Sequence, residues 1–466
     1  MQLYDSVQKT KREFIPQEEP KVSLYVCGPT VYDDAHLGHA KSALVFDLLT
    51  RVLKANGFEV IYARNITDID DKIINKAKEQ NKTIKEITDF YTNAYHAEMS
   101  KLGVKRPDIE PKATESLEAM FELIEKLLLS NHAYKTSNGD VYFDTSSDCD
   151  YLKLSLRVQD ESQKLQRIES FSEKRNSADF ALWKSVHDDG ISFESPFGKG
   201  RPGWHIECSA MIEKHLAKKG NKFAVDIHGG GADLLFPHHE NEAAQTRCAT
   251  SHVLANYWMH NGFVNIDGEK MSKSLGNSFF LKDALKIYDG EVLRFYLLST
   301  HYRANFNFNE EDLLSSKKRL DKIYRLKKRL FGLSHKNEKT SFQEQLLKAL
   351  SDDLNISESL ALIDEMTTEI NEKLDNDAKA KETKSQALSN LAYIEEILGF
   401  GGKNPYDYFQ QGIDSKTKDE IDTLIAKRGE AKKAKDFALS DSIRDEILSY
   451  GVNIMDTAQG TFWEKI

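Results

Sequence analysis

The 466-residue sequence predicts an α/β protein in which a parallel sheet is followed by a mostly helical region. Two short β-prone runs, at 21–27 and 58–63, flank a segment at 40–55 in which apolar residues recur at helical spacing. Strands joined in this way predict a parallel βαβ unit with a right-handed crossover. From about residue 310 onward the pattern is mostly helical. Ligands of such sheets bind beyond the carboxyl ends of the strands.

The composition excludes several classes of protein. With 64 Lys+Arg against 74 Asp+Glu and only 9 Pro, the chain is neither disordered nor a general nucleic-acid coat. No apolar run approaches the ~18 residues of a membrane span, and the first residues lack an apolar signal core. The cysteines are scattered, which favours thiols or metal ligands over disulfides. We expect a cytoplasmic monomer with no membrane contact.

An insertion interrupts the sheet region. Apolar residues at helical spacing over 117–128 are followed by a strand-like run at 140–144 and a polar stretch. The pattern resumes at 204–208, where Cys208 is expected to follow a strand-like run. This order predicts an α/β insertion between two halves of one sheet.

The second half of the sheet begins with a strand at 222–227 that leads into three glycines at 229–231. A helix is predicted from Pro237 onward, and 256–264 and 267–275 complete the core.

The first chemical motif is His36-Leu37-Gly38-His39, directly before the predicted helix. Free backbone N–H groups at a helix N-terminus attract phosphate, and Gly38 leaves room for a flat base against the backbone. The alternative is that one histidine caps the helix and the other lies on the surface.

The second motif is Lys270-Met271-Ser272-Lys273-Ser274, between Gly268 and Gly276. Two lysines on a glycine-flanked loop can hold a polyphosphate, although a solvated basic loop would look the same. HLGH followed by KMSKS in a βαβ context resembles the class I aminoacyl-tRNA synthetases. That resemblance implies a Rossmann-type catalytic domain that binds ATP between the two motifs.

A third constellation is suited to a metal. His238 and Glu242 are four residues apart and therefore share one face of a helix. Cys27 and Cys208 are expected to converge on them from neighbouring strand ends, and two Cys, one His and one Glu form an acceptable tetrahedral zinc set. The alternative is that both cysteines are small buried apolar residues.

Longer stretches resemble the cysteinyl-tRNA synthetases from about residue 20 to the end. They are CGPTVYDDAHLGHA at 27–40, NITDIDDKI at 65–73, RPGWHIECSAM at 201–211, DIHGGGADLLFPHHENE at 226–242 and KMSKSLGN at 270–277. The resemblance implies one zinc ion held by Cys27, Cys208, His238 and Glu242. His239, Cys149 and Cys248 fall outside that set and are interpreted as structural.

The resemblance also implies the reaction. Cysteine and ATP, with Mg²⁺, form cysteinyl-adenylate, and the cysteinyl group passes to the 3′ end of tRNA(Cys). Zinc would select the substrate, because a thiolate is a far better ligand than the hydroxyl of serine, whereas an apolar pocket separates such near-isosteres only ~10–200-fold.

Individual roles follow by resemblance, with packing as the alternative for each. The catalytic set is His36, His39, Lys270 and Lys273; ATP is assigned to Gly38, Gly230, Gly262, Val264 and Lys273; cysteine is assigned to Thr67, Trp204, His228 and Asp233. In the last set, Asp233 is expected to bind the ammonium group, and Trp204 and His228 to form the pocket wall.

The resemblance divides the chain into five segments. These are 1–111, the first half of the catalytic domain; 112–200, the connective insertion; 201–309, the second half with the KMSKS loop; 310–400, a helical bundle that contacts the tRNA stem; and 401–466, a small α-rich anticodon-binding domain.

Two features of the C-terminal part suit tRNA. Residues 315–329 contain eight Lys or Arg and one Asp, although a charge run is often only a solvated face. Residues 427–444 are more mildly basic, and Trp463 either stacks an unpaired base or anchors a core.

Two other functions would account for part of the sequence. A ligase that joins cysteine to an amino sugar would lack the anticodon-reading end that 433–463 resembles. A zinc-bearing RNA-binding protein would need neither HLGH nor KMSKS.

Overall fold

The structure is a computed structural model that describes residues 1–157, 173–187, 191–266, 269–270, 279–334, 338–457 and 460–466. It divides into two compact units. The sheet unit comprises Met1–Asp283, Leu297–Asn309 and Leu347–Ser357; the helical unit comprises Ala284–Tyr296, Glu310–Leu346 and Glu358–Ile466. The division into five segments stays a prediction.

The chain alternates strands and helices in its first two thirds and is mainly helical thereafter. The strands are β1 (Gln2–Asp5), β2 (Thr10–Glu13), β3 (Lys21–Val26), β4 (Glu59–Arg64), β5 (Ala133–Lys135), β6 (Val141–Phe143), β7 (Phe180–Ser185), β8 (Gly200–Pro202), β9 (Phe223–Gly231), β10 (Val253–Asn261), β11 (Val264–Ile266), β12 (Glu269–Lys270), β13 (Phe306–Phe308), β14 (Val452–Thr457) and β15 (Gly460–Lys465). The helices are α1 (Leu37–Ala55), α2 (Asp71–Gln80), α3 (Ile84–Lys101), α4 (Leu117–Leu129), α5 (Trp204–His215), α6 (Glu240–Ala249), α7 (Leu281–Ile287), α8 (Gly290–Leu298), α9 (Glu310–Arg329), α10 (Ser341–Leu350), α11 (Ile356–Asn376), α12 (Lys381–Leu398), α13 (Pro405–Phe409), α14 (Ser415–Lys433) and α15 (Phe437–Ser449).

A four-stranded parallel sheet forms the centre of the sheet unit, in the order β10-β9-β3-β4. This confirms the predicted α/β class. Strand β9 runs through the three glycines, whereas the sequence placed them after the strand. Gly229 explains the difference: a Cβ there would lie 2.2 Å from the ring of Phe46 on α1, so only glycine lets this helix pack so closely on the strand.

The insertion carries its own antiparallel sheet in the order β5-β6-β7-β8, beside α4. The expectation that Cys208 follows a strand-like run is wrong, because Cys208 lies within α5. Residues 206–212 of this helix are all buried. A helix that is buried on every side lacks the amphipathic period that would distinguish it from a buried strand.

The helical unit ends in a β-hairpin that the sequence analysis did not predict, formed by β14 and β15. Trp463 on β15 is 2% exposed, packs with Ile421 and Ile447, and donates from Nε1 to Asp422 Oδ1 at 2.8 Å. This supports the interpretation of Trp463 as a core anchor. Within the described part of the chain, no helix has the length and apolar character needed to cross a membrane.

Candidate functional site

A cleft of about 610 Å³ opens at the carboxyl ends of the central strands, where ligands of parallel sheets bind. Its wall includes Cys27 after β3, Asp233 after β9, the segment 261–264 after β10, and Trp204 at the start of α5. His36, Gly38 and His39 at the start of α1 complete it.

Behind Cys27 lies a buried cluster of side chains. Cys27 Sγ is 3.7 Å from Cys208 Sγ and 3.5 Å from Glu242 Oε1, and His238 Nε2 is 2.8 Å from the same carboxylate oxygen. One donor atom from each of the four residues lies within 4.8 Å of all the others. The structure thus brings together the four side chains that the sequence proposed as metal ligands.

The spacing fits a tetrahedral metal ion. Zinc–sulfur bonds of about 2.3 Å place two tetrahedral sulfur ligands about 3.8 Å apart. The two sulfur atoms of Cys27 and Cys208 are 3.7 Å apart. Two thiolates with one imidazole and one carboxylate also form a donor set that suits zinc.

A second set of four overlaps the first. His228 and His239, with Cys27 and Glu242, also bring four donor atoms within 4.8 Å of one another. His239 Nε2 lies 3.4 Å from Cys27 Sγ, so its assignment as purely structural is too simple. The adjacent histidines lie in an irregular turn, Leu235–His239, in which Phe236 has an extended backbone, so the spacing of an ideal α-helix does not apply. In the sequence, the only indication that His239 could join the cluster is its position next to His238 in PHHENE.

Both histidines have an outer partner on their second ring nitrogen. His238 Nδ1 lies 2.9 Å from His205 Nδ1, and His239 Nδ1 lies 2.8 Å from His260 Nε2. The ring of Trp204 stacks on His238 at 4.2 Å between centroids. Such contacts orient metal-binding imidazoles, and they join the cleft wall directly to the cluster.

The cluster perturbs the ionisation of its members. A hydrogen bond from the Cys27 thiol, together with His238, lowers the pKa of Cys208 to about 6 despite its burial. Burial alone would raise the pKa of Glu242, but His238 and His228 hold it well below its usual range. Burial and Cys208 raise the pKa of Cys27. The surroundings of Cys208 and Glu242 therefore favour the thiolate and the carboxylate, which are their metal-binding forms.

The HLGH motif caps its own helix. The backbone N–H groups of Gly38 and His39 donate to His36 Nδ1 at 3.1 and 3.4 Å, and that of Leu37 donates to the Phe279 carbonyl at 3.4 Å. The expectation of free N–H groups at this helix start is therefore wrong, because His36 and the Phe279 carbonyl already accept hydrogen bonds from them. The stacked rings of His36 and His39, 3.8 Å apart, instead present imidazole to the cleft.

The part of the cleft wall assigned to adenine, 262–264, packs closely against the backbone of 302–304. Gly262 N donates to the Tyr302 carbonyl at 2.8 Å, and a Cβ on Gly262 would lie 2.3 Å from the Ala304 carbonyl oxygen. Gly262 and Val264 both line the cleft. Gly230 lies within β9, and among the described lining residues it is Gly231 that reaches the cleft. The side chain of Lys270, on β12, and the whole of Lys273 lie outside the described residues.

The four residues assigned to cysteine separate into two pairs. Trp204 and Asp233 line the cleft. His228 does not form the described wall as expected: it is fully buried within β9, and its Nε2 lies 2.7 Å from Glu242 Oε2. Thr67 is 2% exposed and donates to Glu207 Oε2 at 3.1 Å. Strand β9 continues to Gly231, which keeps residue 228 inside the sheet.

In the helical unit, most of the basic charge on α9 is already engaged. Five residues of the run have partners, namely Lys317 with Asp321, Arg319 with Asp364, Lys327 with the Gly401 carbonyl, Lys328 with Glu464, and Arg329 with Asp375. Lys318, Lys322 and Arg325 are exposed and form no ion pair with the described residues. Their spacing places them on one helical face, which we call the α9 stripe.

The milder basic stretch at 427–444 is also partly engaged. Arg428 is buried and forms paired contacts of 3.0 and 3.2 Å with Asp456 on β14, and Lys432 reaches the same carboxylate at 2.6 Å. These cations hold the hairpin against α14.

Known proteins resemble this chain over its whole length. Residues 13–318 match the family described as tRNA synthetases class I (C) catalytic domain, and residues 346–401 match the DALR domain. The chain is 77% identical to the cysteine–tRNA ligase of Sulfurimonas denitrificans and 62% identical to that of Sulfurovum sp., in both cases over 100% of each chain.

Two solved structures share the fold at low identity. Methionyl-tRNA synthetase from Mycobacterium tuberculosis, in complex with methionyl-adenylate, has a TM-score of 0.59 at 13% identity and covers 81% of this chain and 92% of its own. Leucyl-tRNA synthetase agnB2 from Agrobacterium radiobacter, in a ternary complex, has a TM-score of 0.60 at 11% identity and covers 86% and 87%. The chain belongs to the cysteine–tRNA ligase family of class I aminoacyl-tRNA synthetases.

Proposed function

We propose that this protein activates cysteine with ATP and transfers it to tRNA(Cys). One observation carries the proposal: Cys27 belongs both to the metal-type cluster and to the wall of the large cleft. A substrate that enters the cleft therefore reaches the cluster at Cys27, at the carboxyl end of a central strand.

Zinc is the metal that the donor set suits best, held by Cys27, Cys208, His238 and Glu242. When bound, it would supply a Lewis acid that prefers a thiolate over the hydroxyl of serine. The two thiol ligands favour this set over the one that contains His228 and His239. Those two histidines would then orient Glu242 and Cys27 from outside the set.

The protein's own groups position the substrates. Asp233 offers a carboxylate to the ammonium group of cysteine, and Trp204 forms the adjacent wall. His36 and His39 face the position proposed for the phosphates of ATP and its Mg²⁺, while 262–264 would meet adenine. Lys270 and Lys273 are proposed to stabilise the developing charge on the departing pyrophosphate.

The two steps need little acid–base chemistry. A carboxylate oxygen of cysteine attacks the α-phosphorus of ATP, a P–O bond forms, and pyrophosphate leaves. A ribose hydroxyl at the 3′ end of tRNA then attacks the carbonyl carbon, AMP leaves, and the departing phosphate can accept the hydroxyl proton. Positioning and charge stabilisation therefore account for most of the catalysis.

The α9 stripe is proposed to contact the tRNA backbone, because Lys318, Lys322 and Arg325 are exposed and form no ion pair with the described residues. Residues 401–466 are proposed to read the anticodon. Cytoplasmic location and a monomeric state stay predictions from the sequence.

Cysteine-dependent exchange between ATP and pyrophosphate tests the proposal. We expect exchange with cysteine, little with serine or alanine, loss after removal of zinc, and recovery when zinc returns. Exchange that ignores zinc, or that is equally fast with serine, contradicts the metal-selection mechanism. Absence of exchange with every amino acid contradicts the enzymatic function itself.

A further inference from the structure

One cation in the cleft wall forms no ion pair with the described residues. Arg64 is the last residue of β4, is 5% exposed, and lines the cleft. Its register partner on β3 is Val26, the residue before Cys27. Its Cγ lies 3.5 Å from the position that a Cβ on Gly28 would occupy, so its stem packs against the residue that follows Cys27.

Arg64 lacks an acidic partner within the described residues. No carboxylate there forms an ion pair with its guanidinium, and its Nε is buried without a hydrogen-bond partner. Its side chain forms a hydrogen bond with that of Tyr62, and the aromatic ring of Tyr95 lies 5.8 Å away. The nearby Glu110 is engaged by His96 at 3.0 Å and Arg106 at 2.7 Å. A guanidinium remains charged in proteins, and burying it with neutral partners but no carboxylate is costly.

We propose that Arg64 binds the α-carboxylate of the amino-acid substrate. The three strands that end at this part of the cleft, β9, β3 and β4, are adjacent in that order. Asp233 follows the first, Cys27 follows the second, and Arg64 ends the third. Ammonium, thiol and carboxylate are the three polar groups of cysteine. In this assignment the ammonium meets Asp233, the thiol meets the metal site at Cys27, and the carboxylate meets Arg64.

This assignment rests on the proposed function and deepens it. A hydrogen bond from Arg64 to one carboxylate oxygen leaves the other oxygen to attack the α-phosphorus of ATP. The new P–O bond forms as the bond to pyrophosphate breaks, and no proton moves. Arg64 would thus hold the nucleophile in the orientation that the first step needs.

The test measures binding of two ligands to the zinc-loaded enzyme. Cysteamine keeps the thiol and ammonium groups of cysteine but lacks the carboxylate. For Arg64→Gln we expect cysteine to bind about 10–100-fold more weakly and cysteamine to bind within about twofold of its wild-type affinity, as for one lost charge-assisted hydrogen bond. Arg64→Lys keeps the charge without the planar donors and should recover part of the loss.

The matched control is Arg175→Gln, which removes an exposed arginine of the sheet unit that does not contact Arg64 or Glu110 and should leave both affinities unchanged. The proposal is overturned if Arg64→Gln weakens cysteine and cysteamine equally, if it raises only the KM for ATP, or if it slows only transfer from preformed adenylate to tRNA. These last two outcomes would indicate contact with phosphate of ATP or of tRNA. A wild-type enzyme that binds cysteine but never exchanges pyrophosphate would overturn the proposed function and leave the binding test intact.

Discussion

Two regions of the molecule carry dense charge, and their surroundings differ completely. In the cluster at Cys27, the side chains of His238 and Glu242 are 2% and 0% exposed, and each touches another member. In the helical unit, α9 carries eight basic side chains within residues 315–329. Of these, Lys318, Lys322 and Arg325 face solvent and form no ion pair with the described residues. Buried polar groups must be paired, whereas exposed ones are screened by water and salt. We therefore expect changes in the first region to have large effects and changes in the second to have small ones.

The sharpest test of this contrast is Cys208→Ser. Loss of a thiolate ligand should remove bound zinc and reduce cysteine-dependent exchange by more than the ~10–100-fold typical of losing an outer partner. Metal content per chain and exchange rate are the measurements. Cys149→Ser, at an exposed cysteine, should retain both. Retention of zinc in Cys208→Ser together with its loss in His239→Gln would indicate that the second set of four is the true site.

The next largest effect is expected at Trp463, which is buried in a core without proposed metal ligands, and it should appear in the free energy of unfolding. Replacement by alanine removes a side chain that is 2% exposed, at a cost of about 3–5 kcal/mol in the free energy of unfolding. Urea denaturation measures that loss. Trp463→Phe keeps most of the apolar contact but loses the hydrogen bond to Asp422, so it should be milder. If Trp463→Phe is stable yet fails specifically in tRNA charging, the tryptophan stacks a base instead.

A buried lysine on α1 adds a dependence on pH. Lys41 is 0% exposed, its Nζ donates to the carbonyls of Leu297 and Thr300, and burial lowers its pKa from 10.5 to about 7. Between these values the unfolded chain binds a proton that the native state does not. Stability therefore rises with pH across that range, by at most about 1.4 kcal/mol per pH unit from this group.

Lys41→Met should flatten that rise. The measurement is the free energy of unfolding at about pH 7.5 and 9.5, with Lys54→Met as the control because Lys54 is exposed on the same helix. Identical pH dependence in Lys41→Met and wild type would show that Lys41 is charged in the native state throughout.

The α9 stripe should show the smallest effect. Joint replacement of Lys318, Lys322 and Arg325 by glutamine should raise the KM for tRNA about tenfold and reduce its salt dependence, because up to three phosphate contacts are lost. Exchange between ATP and pyrophosphate should not change. In the matched control, glutamine replaces three other exposed lysines of the same unit, Lys373, Lys379 and Lys381. An equal effect in both triple variants would mean that only net charge matters.

Local sequence patterns located some elements of this molecule correctly and failed for others. The period of apolar residues located β3, α1 and β4 to within a few residues, because a βαβ unit is specified by neighbours along the chain. The motifs indicated the family, and residue types indicated a sulfur-rich metal site. The same reasoning failed for Cys208, since residues 206–212 around it in α5 are all buried and show no amphipathic period.

The sequence by itself determined the order of elements, the family and the chemical types available for a site. Only the tertiary structure decided which groups meet. Cys27 and Cys208 lie 181 positions apart, His239 enters the cluster through an irregular turn, and Arg64 becomes a buried cation without an acidic partner among the described residues. Burial and pairing depend on contacts between distant segments, and those contacts set both pKa and interaction energy. Neither the pKa nor the interaction energy can therefore be obtained from a residue's type and its immediate neighbours along the chain.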